Sequence, residues 1–200
     1  MKRRGQRGYT AVELMMAIGI FGIGVTGIIS MQKVTSVSNQ HAKNLSIATH
    51  IAESWLDMLT ADATTWTSPS RSGGTRKIDA TTWLKDTKPS ANTVNHWVLP
   101  LYSPILEFGP AFDALGNPVD AAANPGSVAF CSHLRLSYLY QPTTNDGNGL
   151  VRAEVRVFWL REGQGFAQDM CAAAQVVNVG NAKDTFHFVQ KITAIRENNQ

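Results

Sequence analysis

From Leu14 to Gln32 the chain carries 19 residues without a formal charge, and nearly all of those up to Met31 are apolar or small. That is the short end of what spans a bilayer as a helix, about 17 to 25 residues. Lys2, Arg3, Arg4 and Arg7 precede the run and few basic residues follow it closely. By the positive-inside rule this keeps the N-terminus in the cytoplasm and exports the remainder.

The same four residues carry the basic balance of the chain. The formal charge is +3 over 200 residues, with a pI near 9.0. Without those four, 14 basic residues face 15 acidic ones, a net of −1. The pI therefore says little about a partner, and no nucleic-acid binding is expected. With 44% hydrophobic content the length suits one domain with a core and its appendages.

Three explanations compete for the apolar run: a cleaved secretory signal, a one-pass anchor and something more specialised. A conventional signal would be cut after the run, where Thr35 and Ser36 are small enough to serve. Glu13 argues against the first two. It places a carboxylate at the very start of the run, at an export cost of up to a few kcal/mol and with no intrachain partner visible in the sequence.

The residues around Glu13 are Lys2-Arg-Arg-Gly-Gln-Arg-Gly8, then Tyr9-Thr-Ala-Val-Glu13, then Leu-Met-Met-Ala-Ile-Gly-Ile-Phe-Gly-Ile-Gly. This segment resembles the class III signal of type IV prepilins and pseudopilins. The resemblance implies cleavage by a prepilin peptidase after Gly8, N-methylation of Tyr9, and Glu13 as the fifth mature residue, with Thr10 beside it in the assembly site. Two positions depart from the family pattern: Tyr9 where Phe is usual and Ala11 where Leu is usual. In such filaments the carboxylate of an incoming subunit would neutralise the methylated amine of its neighbour, so that two charges costly in lipid become tolerable as a pair.

Within the run, Gly19, Gly22, Gly24 and Gly27 would each cost about 1 kcal/mol in a soluble helix. Gly22, Thr26 and Ser30 follow at i, i+4 and i+8, a small-residue stripe suited to helix packing. A glycine-rich membrane helix without such a role is the alternative. Ser30 stands where major pilins usually carry a proline, so no kink is expected there.

From about Asn39 to Thr60 the chain turns amphipathic, with Leu45, Ala48, Ile51, Ala52, Trp55, Leu56 and Leu59 on one helical face. The expected fold class is α+β, a pilin fold in which a long N-terminal helix packs on an antiparallel β-sheet. Its first half would be transmembrane and its second half amphipathic. Residues 1–8 form the leader, 9–60 the helix (9–32 transmembrane or filament core, 39–60 amphipathic) and 61–200 the head. Strands are predicted over Val94–Leu101, Val128–Gln141, Leu150–Arg161 and Asp184–Arg196, with exposed loops at 61–95 and 109–127. Val128–Gln141 and Leu150–Arg161 read as a hairpin, the turn Pro142–Gly149 between them. In the second of these strands Val151, Ala153, Val155, Val157 and Trp159 would be buried, and Arg152, Glu154 and Arg156 would face water.

Cys131 and Cys171 lack the spacing of a metal or redox motif. In an oxidising compartment they would form one disulfide, worth roughly 4 kcal/mol on the chain-entropy model; two buried thiols are the alternative. The five histidines (41, 50, 96, 133, 187) show no ligand spacing, Gly163-Gln-Gly165 is no nucleotide loop, and Asn145-Asp-Gly-Asn148 is a turn rather than a calcium loop. No metal, cofactor or catalytic residue is expected. The tryptophans, with Tyr138, Tyr140 and Phe158, read as core before surface.

The first 60 residues further resemble PilV-type minor pilins, through the glycine-rich second half of the run, Gln32, Asn39-Gln40 and Ala52-Glu-Ser-Trp-Leu. GspI-type pseudopilins of type II secretion are close relatives. The resemblance implies a structural subunit of a priming and tip complex, anchored singly in the bacterial inner membrane before assembly and exposed in the periplasm and on the pilus afterwards. Its partners would be other minor pilins, the major pilin and a PilY-type tip adhesin. A competence-type pilus component and a periplasmic protein with an ordinary signal remain the other classes.

Overall fold

In the computed structural model, residues 9–66, 78, 81–87, 96–140, 149–161, 169–172, 175, 179, 181–182 and 184–197 are described. The chain falls into two compact units, residues 1–44 and 45–200. One helix, α1 (Ala11–Asp62), runs without interruption from the first unit into the second. No break occurs at Ser30, as the absence of proline there implied.

Within the first unit α1 exposes its apolar residues almost all round. An 18-residue window reaches a mean hydropathy of 2.1 with none of it buried, so the helix is long and apolar enough to cross a membrane. In the second unit the character changes. Ala48, Ile51, Ala52, Trp55 and Leu59 are buried at helical spacing, while Leu45 stays 43% exposed and Leu56 is half-buried. The expected apolar face is thus present from Ala48 onward.

That face packs on a five-stranded antiparallel sheet, ordered β2 (Pro118–Val119), β1 (Ala111–Phe112), β3 (Phe130–Tyr140), β4 (Leu150–Leu160), β5 (Phe186–Arg196). The expected fold class, α+β with a long N-terminal helix on an antiparallel sheet, is the fold observed. Three of the four predicted strands are present within two residues of their expected limits. Of the fourth, Val94–Leu101, the described residues 96–101 hold a single bridge, between Val98 and Leu134. Conversely, β1 and β2 lie in the stretch 109–127 that reads as loop. At two residues each they are too short to show a period of two.

β3 and β4 pair antiparallel with a register shift between Tyr138 and Tyr140, and β4 pairs with β5 along its whole length. The turn expected at 142–149 lies almost wholly outside the described residues. Valines at 151, 155 and 157 give β4 the β-branched character that suits a central strand. They face the helix with Ala153 and Trp159, inside a core that includes Trp55, Trp66, Trp83, Phe108, Phe112 and Phe130. Burying each such side chain is worth about 1.5 to 3 kcal/mol. Four of the five tryptophans are core, as expected; Trp97 is half-buried and Tyr140 is exposed.

The other side of β4 departs from the expectation of a wet face. Arg152 is partly exposed, but Glu154 is 2% and Arg156 6% exposed, and Phe158 is fully buried. A second apolar cluster covers this side at one end, formed by Ala111, Cys131, Phe158, Met170, Cys171, Val179 and Phe186. Residues distant in sequence supply that cover, so the alternation along β4 could not reveal it.

Candidate assembly site and the buried cluster of the sheet

Tyr9 and Thr10 precede α1 in non-helical backbone, with Tyr9 89% exposed. Gly8 lies outside the described residues. Thr10 is the N-cap: its carbonyl accepts from the amide of Leu14 at 3.2 Å, the first bond of the helix. The Thr10 hydroxyl accepts from the Glu13 amide at 3.3 Å. In return, Glu13 Oε2 accepts from the Thr10 amide at 3.1 Å and from the Thr10 hydroxyl at 3.1 Å. This is a reciprocal capping box, which satisfies amide donors that the start of a helix otherwise leaves orphaned.

Glu13 therefore has the intrachain partner that the sequence reading denied it. The signal was present, since Thr10-Ala-Val-Glu13 is the Ser/Thr-x-x-Glu pattern of such a box. A carboxylate here also sits favourably at the positive end of the helix dipole. Both effects lower its cost at the mouth of an apolar segment.

Gly22, Thr26 and Ser30 lie along one side of α1 by their spacing. Nothing approaches a Cβ built on Gly22 within 4 Å. Thr26 Oγ1 donates to the carbonyl of Ile23 at 2.8 Å, and Ser30 Oγ to that of Thr26 at 3.0 Å. The two hydroxyls are satisfied inside the helix, so the stripe offers another helix a smooth, nonpolar approach.

Cys131 and Cys171 are joined as a disulfide, with their Cα atoms 5.6 Å apart. It ties β3 to the segment at 169–172 and lies in the second apolar cluster, far in sequence from the residues above. The thiol alternative is thereby excluded. Among the described residues no group of acidic, histidine and cysteine side chains is arranged to hold a metal ion.

Sequence reasoning missed a buried polar cluster on the side of the sheet away from α1. Register places His133 of β3 opposite Arg156 of β4, and Arg135 opposite Glu154. Arg135 and Arg152 both form ion pairs with Glu154, the latter at 3.0 Å, and Gln190 Nε2 of β5 donates to the same carboxylate at 2.8 Å. Trp97 lies under both Arg135 and Arg156, with the guanidinium carbons 4.7 and 4.5 Å from its ring centre. Arg156 NH2 lies 2.9 Å from His133 Nδ1. Burial, and secondarily the Arg156 charge, push the His133 imidazole down to about 3. Burial and the neighbouring Arg135 lower Arg156 to about 10. His133 is thus neutral at pH 7 and accepts from a charged Arg156.

At the far end of α1, Asp62 does the work of an anion in a nest. Its Oδ1 accepts from the amide of Thr82 at 2.6 Å, and its Oδ2 from Trp83 at 2.9 Å and Leu84 at 3.1 Å. This fixes the segment that delivers Trp83 to the core, where it meets Trp55 edge-on at 5.3 Å. No pattern in the sequence links Asp62 to residues twenty positions later.

No protein-family model, curated protein or solved structure matches this chain.

Proposed function

We propose that the chain is a minor pilin of a type IV pilus, a structural subunit of the priming and tip complex that promotes assembly and presents an adhesin. The observation that carries the reading is the joining of three features by one helix. Gly8-Tyr9 precedes the helix as the peptidase expects. Glu13 sits at the mouth of the apolar segment, and the helix continues unbroken into a disulfide-closed α+β unit. A discarded signal needs none of this continuity. In this reading α1 is first a membrane anchor and then the assembly handle, and the chain binds partners without catalysing a reaction. It is itself a substrate of the prepilin peptidase.

The decisive test is the mature N-terminus. Mass spectrometry of the chain from its native membrane should find N-methyl-Tyr9; a start near residue 37 or an intact Met1 would sink the proposal. Deleting the gene should then deplete surface pili. Normal pili with a defect in protein export would instead assign the subunit to a type II secretion pseudopilus.

A further inference from the structure

β5 is an edge strand: it pairs with β4 along its whole length, and among the described residues nothing pairs with its other side. Its polarity can be read from the flanking bonds. The amide of Arg161 donates to the carbonyl of Thr185, and the amide of Glu197 to that of Gly149, so odd-numbered residues of this strand turn their main-chain groups toward β4. Phe188, Gln190, Ile192 and Ala194 consequently turn theirs toward the open edge.

This edge lacks the usual protection. Over its length it has no proline and no bulge, and Phe188 and Ile192 stand 46% and 53% exposed on the side away from α1. Its one lysine, Lys191, faces the helix side and is drawn to Glu53 at 2.9 Å. The charge that would guard the edge is already neutralised.

The geometry points to a second copy of this chain as the partner, docked by antiparallel pairing of β5 with β5 about a two-fold axis through Gln190. An open row of N–H and C=O groups is fully met only by another strand, and an isologous pairing must be complementary to itself. The register centred on Gln190 satisfies that condition along the strand. Phe188 of one copy opposes Ile192 of the other, so the two exposed apolar residues cover each other. Within the strand Phe186 opposes Ala194, so no like charges meet. Lys191 opposes Val189 instead of another lysine. Centring the axis on Lys191 would set two lysines face to face, and centring it on Val189 would set Phe188 against Gln190. The Gln190 register also brings Phe188, Gln190 and Ile192 into hydrogen-bonded positions, because those residues carry the edge-facing groups. The inference does not rest on the pilus reading.

The test uses the full chain in detergent micelles, where Cys131 and Cys171 are already bonded to each other. Gln190→Cys treated with a short bis-maleimide, which adds one thiol at each end, should give a covalent dimer. Thr193→Cys, which opposes His187 in this register, should not. Ile192→Lys should shift the sedimentation equilibrium toward monomer at least tenfold, with the unfolding temperature of the monomer retained. A wild-type chain that stays monomeric at every concentration would overturn the proposal, as would equal cross-linking of the two cysteine variants.

Discussion

Glu13 has two jobs that substitutions can separate. As a cap it needs only an acceptor oxygen at the third helical position; as a charge partner for a neighbouring amine it needs ionisation. Glutamine keeps the first and loses the second, whereas valine loses both. If the proposed pairing drives incorporation, Glu13→Gln and Glu13→Val should both leave cleavage and membrane insertion intact and both reduce the subunit in sheared pili severalfold. Recovery of incorporation with Gln alone would leave only the cap. Asp62 allows a simpler experiment. Its side chain accepts three amides, and leaving buried or part-buried donors unpaired costs about 1 to 3 kcal/mol. Asp62→Ala should lower the unfolding free energy by that order in a urea titration, and Asp62→Asn, which keeps one acceptor oxygen, by less.

At the scale of elements, β4 is the strand on which the second unit turns, with β3 and β5 on its flanks and apolar cover on both sides. Its buried Arg156 reaches the ring of His133, whose imidazole is pushed down to about 3. An unfolded histidine binds its proton near pH 6.5. Between those values the unfolded chain holds more protons than the folded one. This contribution to stability is therefore complete above pH 6.5 and is lost as pH falls toward 3, at up to about 1.4 kcal/mol per pH unit. Urea midpoints at pH 7 and pH 5 should differ more for the native chain than for His133→Gln, which cannot titrate; equal differences would exclude His133 as the group responsible. Glu53 is shifted in the same direction, with the same sign of pH dependence, but at the surface, where Lys191 holds its carboxyl below the usual range. Such exposed pairs contribute little.

For the molecule as a whole, the disulfide joins β3 to a segment 40 residues later and restricts the unfolded chain. Replacing both cysteines by serine should cost roughly 2 to 4 kcal/mol in urea unfolding of the full chain, with less effect if the loop stays compact when unfolded.

What the sequence determined by itself is what depends on near neighbours. The apolar run, the amphipathic face from Ala48 to Leu59 and the places of the three long strands are all local patterns, legible within a few residues. The capping box at Thr10 and Glu13 has a local signature too, but it was recognised only from the hydrogen bonds. Only the tertiary structure decided the rest. Glu154, Arg156 and Phe158 are buried because Trp97, Cys131, Arg135, Met170, Cys171 and Val179 arrive over or beside them from elsewhere in the chain. Asp62 finds its amides only when residues 82–84 fold back on the helix end. β5 becomes an edge because β3 occupies the other side of β4. Burial of the second face of a strand, and the openness of an edge, are set by what packs there, and no period within the strand encodes its neighbours.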